Sequence, residues 1–206
     1  MSDAADPVAA TRATYDAIAA AYAGRTRTVD ERDWLDELVV AVPPGGTVVD
    51  VGCGPGREAE LLQADGYRAI GLDVSTSMLA LARRNGVPVV QGDLRSLPLR
   101  DGAVDAVWSC ASLLHVPREQ TVATLADWRR VTRDGGGLAL STSSGDDEGW
   151  EAVPFASEQD ERDRRCWFVH RTRDELVSAV TAAGWSVEHV GSREGHRSWH
   201  LVRARA

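Results

Sequence analysis

The densest chemistry in this sequence lies in Val48-Val-Asp-Val-Gly-Cys-Gly-Pro-Gly-Arg57: a short apolar run, an acidic residue, then glycine at every second position. Glycine lacks Cβ, so its backbone takes positive φ without clash and lets a ligand come close. Between a strand and a helix N-terminus, such a turn is where α/β folds hold nucleotide-like ligands. Two more carboxylates close apolar runs: Asp73 ends Ile70-Gly-Leu-Asp73, and Asp93 ends Val89-Val-Gln-Gly-Asp93. An ionised carboxylate accepts two hydrogen bonds and matches a vicinal diol such as a ribose. The other reading of Asp73 is an N-cap for the following helix. His115 is the only histidine of the central region, and a neutral imidazole accepts a proton near pH 7. It is either a general base for a hydroxyl or amine nucleophile, or a helix-start histidine that packs on the ligand or bonds backbone.

These residues must be placed by the elements around them. Residues 7–23 are alanine-rich, with Tyr15, Ile18, Ala19 and Tyr22 at helical spacing. A second helix, over 29–42, carries Trp34, Leu35, Leu38 and Val39 on one stripe and stops at Pro43-Pro-Gly-Gly46. Strands expected at 48–51, 68–72, 87–91, 104–110 and 138–142 then alternate with helices at 57–64, 77–84 and 119–131. Apolar strands between amphipathic helices argue for a parallel sheet covered on both faces. Residues 143–171 read as polar and irregular, despite Trp150, Phe155, Trp167 and Phe168. A helix over 172–183 precedes two strands, at 185–190 and 198–203, whose short polar connection predicts antiparallel pairing.

Over residues 47–140 these motifs together resemble the class I S-adenosylmethionine-dependent methyltransferases of the small-molecule type. The resemblance implies an α/β, Rossmann-like, seven-stranded, mostly parallel sheet with helices on both faces. An antiparallel C-terminal hairpin and an N-terminal helical cap complete it. One domain of 206 residues is expected: a cap (1–45), a cofactor core (46–143), a substrate-lid insertion (144–171), and a terminal helix with hairpin (172–206).

The same resemblance assigns S-adenosyl-L-methionine as cofactor and distributes its contacts. Gly52, Gly54 and Gly56 curl beneath its methionine part, while Asp50 fixes the loop or, through water, meets the ammonium. Asp73 takes the ribose, and Met78 lies on the adenine plane or simply packs. Asp93 and the Leu94 N–H read adenine, unless Asp93 is only an exposed turn aspartate. The Cys110 carbonyl meets the amino group, and Tyr22 the carboxylate, although a tyrosine stripe also suits a core. Trp150, Trp167 and His170 form an acceptor lid or seal the core edge. The expected reaction is methyl transfer to an O, N or C nucleophile of a small-molecule acceptor, with secondary metabolism as a setting. The alternative is a cofactor-binding sensor or partner-dependent subunit that transfers nothing. A nicotinamide enzyme fits less well, because Arg57 stands where GxGxxG needs its last glycine.

Composition narrows the partners. With 23 basic against 31 acidic residues and a net charge of −8, a phosphate-backbone partner is disfavoured. Arg162, Arg164 and Arg165 alternate with Asp160, Glu161 and Asp163, which reads as a solvated helix surface. Cys53, Cys110 and Cys166 are isolated, so neither a disulfide framework nor a zinc site is expected. Asp146-Asp-Glu148 are adjacent acids in one loop, which suits solvation better than a divalent metal, so no metal is expected. A cytoplasmic protein, monomer or homodimer, with no membrane span and no nucleic-acid partner, is expected from these features.

Overall fold

The computed structural model describes residues 6–26, 32–39, 42–153, 164–194 and 197–206. At its centre is Thr47–Val51 (β1), apolar except for Thr47 and Asp50 and buried from Val48 onward. A strand apolar on both faces needs helices above and below it. Parallel neighbours flank it: Arg68–Asp73 (β2) and then Val89–Gln91 (β3) on one side, Val104–Cys110 (β4) and then Thr132–Ser143 (β5) on the other. Ser186–Arg193 (β8) and Trp199–Arg205 (β9) complete a seven-stranded sheet in the order β3-β2-β1-β4-β5-β9-β8, with β9 antiparallel to both neighbours. The winding reverses between β1 and β4. Open α/β sheets hold ligands beyond the C-terminal strand ends at such a reversal.

The covering helices follow their apolar spacing. In Thr76–Arg84 (α4), Met78, Leu79 and Ala82 turn inward, and the Ser75 side chain caps the helix by accepting the Met78 N–H at 3.1 Å. In Thr121–Val131 (α5), Leu125, Trp128 and Val131 enter the main core. Trp128 donates its indole N–H to Leu94 O at 2.7 Å, and Trp185 donates to Leu125 O at 2.9 Å. Both rings therefore bury apolar area without stranding a donor. Arg57–Ala64 (α3) and Arg173–Ala182 (α6) also flank the sheet. Pro7–Thr26 (α1) lies across the strand ends, and Arg32–Val39 (α2) buries Leu35.

Three expectations are corrected. The segment read as irregular contains an antiparallel hairpin, Glu148–Ala152 (β6) and Arg165–Val169 (β7), with Trp150 opposite Trp167. Alternate β6 positions, Glu148, Trp150 and Ala152, face solvent while Gly149 and Glu151 are half-buried, so polar residues fall on both faces of the strand and no alternation shows in the sequence. Arg165 accordingly sits on a strand, not on a helix surface. β5 begins at Thr132, six residues before the expected start at Leu138, and passes through the glycine run. Gly136 is required there, since a Cβ would lie 2.6 Å from the Asp105 carbonyl oxygen. Phe155, Arg162 and the first residues of the expected second helix lie outside the described residues.

Candidate active site

A crevice of about 640 Å³, partly open to solvent, runs along the C-terminal ends of β3, β2, β1 and β4 beneath α1. Its wall follows the sheet order. Leu94 lies just past β3, Asp73 ends β2 with Ser75 and Met78 after it, Gly52 and Gly54 follow β1, and Cys110 ends β4 with Ala111, Ser112 and His115 after it. Val8, Thr11, Arg12, Tyr15 and Tyr22 of α1 form the roof. Eight of the residues expected in one site share this wall: Tyr22, Gly52, Gly54, Asp73, Met78, Leu94, Cys110 and His115.

The glycine turn is built for close approach. Gly52, Gly54 and Gly56 take φ of 76°, 52° and 86°. A Cβ on Gly52 would stand 2.2 Å from Ser112 Cβ, because the Ser112 hydroxyl reaches across to donate to Val51 O at 2.8 Å. A Cβ on Gly54 would meet little besides Tyr22 at 3.9 Å, so its face is left to the crevice. Asp73 steadies the turn: one carboxylate oxygen accepts the Gly54 N–H at 2.9 Å, the other the Ser75 N–H at 2.8 Å. Each oxygen keeps a further lone pair for a diol. Burial pushes the Asp73 carboxyl above its usual range against those N–H bonds. Asp50 lies behind the turn, not in the crevice wall, and its Oδ2 is buried without a partner. Desolvation, with Glu58 and Asp73 nearby, pushes its carboxyl well above the usual range. A positive-φ cradle, an open glycine face and a diol-competent carboxylate fit an amino-acid nucleoside such as S-adenosylmethionine.

Past β4, Ala111 holds the left-handed region at φ 53°, an uncommon conformation for a residue with Cβ and one found where sites are shaped. It leads into a short 3₁₀ turn, Leu113–His115. The buried Arg171 clamps that turn, donating to Leu113 O at 3.4 Å, Val116 O at 2.9 Å and the Thr121 hydroxyl at 2.7 Å. Burial draws its guanidinium down to about 10, still charged at neutral pH. His115 is fixed from both sides, with Nδ1 2.7 Å from Trp167 O and Nε2 2.9 Å from the Tyr15 hydroxyl. A carbonyl can only accept, so Nδ1 carries the proton and Tyr15 donates to Nε2. Burial lowers the imidazole to about 4, which keeps it neutral, and pushes the Tyr15 phenol well above its usual value.

Other expected residues lie around the crevice and not in its wall. Gly56 is the N-cap of α3, packed 2.9 Å (as Cβ) from Ala82. The Asp93 carboxylate is held by the Arg95 guanidinium at 2.6 and 3.0 Å, and Arg95 also reaches Asp6 at the start of α1 at 2.7 Å. Trp150 is 41% exposed and meets Trp167 edge-on at 5.5 Å. Trp167 reaches the site through its backbone carbonyl, while its indole N–H is buried and unpartnered. His170 pairs with Glu151 and stacks on Phe168, whose ring in turn meets His115 at 4.9 Å. Sequence reasoning missed the Tyr15–His115 bond, the Arg171 clamp and the Asp6–Arg95–Asp93 chain. Only the seven-residue spacing of Tyr15 and Tyr22 hinted at a shared inward face.

A sheet reversed between β1 and β4, with a glycine turn and carboxylate-ended strands around one crevice, is the architecture of the class I S-adenosylmethionine-dependent methyltransferases. Residues 49–140 of this chain match the family described as methyltransferase domain. It is 36% identical over 132 residues to a demethylmenaquinone methyltransferase of Mycobacterium sp. (strain KMS), covering 61% of this chain and 56% of that protein. It is 32% identical over 141 residues to a malonyl-[acyl-carrier protein] O-methyltransferase of Erwinia pyrifoliae, covering 61% and 51%. The match thus spans about half the length of these relatives. In fold it resembles a Burkholderia thailandensis 1,6-didemethyltoxoflavin-N1-methyltransferase, solved with 1,6-didemethyltoxoflavin and S-adenosylhomocysteine. The TM-score is 0.72 at 20% identity, covering 100% of this chain and 92% of that one. No helix among the described residues is long and apolar enough to cross a membrane.

Proposed function

We propose that this chain transfers the methyl group of S-adenosylmethionine to an oxygen, nitrogen or carbon nucleophile of a small-molecule acceptor. The observation that carries this reading is the single wall shared by Leu94, Asp73, Met78, Gly52, Gly54 and Cys110 in strand order. That order suits adenine beyond β3, ribose at β2, the methionine part over the glycine turn, and the methyl end toward β4. The bound cofactor supplies a methyl carbon already activated by its sulfonium. The protein's share is then alignment and exclusion of water, which α1 provides by roofing the crevice. Two relatives and one fold neighbour bear names that place their methyl groups on a quinone precursor, a carrier-bound acid and a heterocyclic nitrogen. A small acceptor fits all that is common to them.

Calorimetry with S-adenosylmethionine tests the site. The wild type binds, and Asp73→Ala shows no measurable binding; normal affinity in the variant rejects the ribose role. Release of S-adenosylhomocysteine across a panel of phenols, amines and carbon acids tests transfer. Tight binding without release from any of them favours the non-transferring sensor.

A further inference from the structure

We propose that the Tyr15 hydroxyl, backed by His115, is the group that meets the reacting atom of the acceptor and takes its proton during transfer. This rests on the methyl-transfer reading above and adds the residue that touches the acceptor. Both side chains line the crevice at its β4 end, the end opposite Leu94 and Met78. The two nitrogens of His115 are already committed. Nδ1 donates to Trp167 O at 2.7 Å, and the Nε2 lone pair is taken by the Tyr15 O–H at 2.9 Å. A proton bound for Nε2 therefore has to come by way of the Tyr15 oxygen, which donates once and keeps two lone pairs. The arrangement is rigid. Tyr15 meets Tyr22 edge-on at 5.5 Å and His115 at 5.3 Å, and His115 meets Phe168 at 4.9 Å.

The step balances. A lone pair of the acceptor atom forms its bond to the methyl carbon, and the carbon–sulfur pair leaves with sulfur. The acceptor's proton passes to the Tyr15 oxygen as the tyrosine's own proton passes to Nε2. One positive charge disappears from sulfur, and one appears on an imidazolium bearing protons on Nδ1 and Nε2. Burial disfavours that cation, so the proton is returned to water when product leaves and solvent refills the crevice. His115 acts here through Tyr15; the tyrosine makes the contact.

The test needs no known acceptor. A cofactor analogue with an amine-bearing carbon in place of the methyl sulfonium puts an N–H donor where the methyl would be. Tyr15→Phe should weaken this analogue about tenfold, the loss of one hydrogen bond to a charged group. S-adenosylhomocysteine should stay within about twofold, since one uncharged contact is all that changes for it. Equal weakening of both ligands assigns Tyr15 a packing role and overturns the proposal, as does no change for either. In ¹⁵N spectra of the imidazoles, His115 should be the Nδ1–H tautomer, with its Nε2 resonance displaced in Tyr15→Phe. An Nε2–H tautomer also overturns it. A wild type that binds neither S-adenosylmethionine nor S-adenosylhomocysteine rejects the methyl-transfer reading itself, a result distinct from any of these.

Discussion

Gly52 shows how much a single residue settles. Its φ of 76° is costly for any residue with Cβ, and the space a Cβ needs is filled by Ser112 at 2.2 Å. Gly66 provides the matched control, with φ 88° and no atom within 4 Å. Gly66→Ala should lose about 1 kcal/mol from backbone strain alone. Gly52→Ala should lose about 3 kcal/mol, because Ser112 must also move and release Val51 O. Urea midpoints of the two variants check this, and equal losses would mean Ser112 yields freely. The glycine turn and Asp73 were legible because their signal is local, a few residues around one strand end. The partners of Asp93 and His115 were not. Arg95 sits two residues from Asp93 yet could have faced anywhere, and Tyr15 is a hundred residues from His115. Only the fold brings such pairs together.

Among the elements, α1 carries the most consequence, since it roofs the crevice and is clasped at two points. At one, the Asp16 carboxylate accepts the Ser75 hydroxyl at 2.6 Å and the Ser77 N–H at 3.0 Å, at the start of α4. At the other, Asp6 caps α1 through the Val8 N–H at 3.0 Å and pairs with Arg95. Asp16→Ala removes a carboxylate from a helix N-terminus and should destabilise by about 1 kcal/mol. Amides of α1 should exchange faster with deuterium, and S-adenosylhomocysteine should dissociate several-fold faster, by about the factor that 1 kcal/mol allows. Unchanged exchange over α1 would show that helix to be held by its apolar face alone. The sequence announced α1 through its alanine-rich spacing, and the core strands through continuous apolar runs. It concealed β6 and β7 because each is five residues long and neither shows apolar–polar alternation: β6 carries glutamate on both faces, and β7 is buried from Cys166 onward apart from the half-buried Trp167. Yet β7 supplies the carbonyl that fixes the His115 tautomer.

At the scale of the whole molecule, a buried neutral histidine ties stability to pH. His115 is lowered from 6.5 to about 4, mainly by burial. In that window the unfolded chain binds a proton that the folded chain refuses. Stability is therefore complete above about pH 6.5, falls as pH drops, and levels off below about 4. Asp6 and Asp16 are lowered and add a loss only at still lower pH, whereas Asp50 and Asp73 are raised and oppose it. His200 is lowered too, by burial, and adds a loss of the same sign as pH falls below about 6.5. From His115 alone, the loss between pH 7 and pH 5 should be about 2 kcal/mol. Comparing His115→Gln with the wild type isolates that share, because His200 and the carboxylates are common to both. The urea midpoint of the wild type should fall more steeply from pH 7 to pH 5 than that of the variant. Parallel slopes would mean that His115 takes up its proton in the folded state without cost. The imidazole would then be solvated and free of Tyr15, and the bond joining α1 to the β4 rim would not hold in solution.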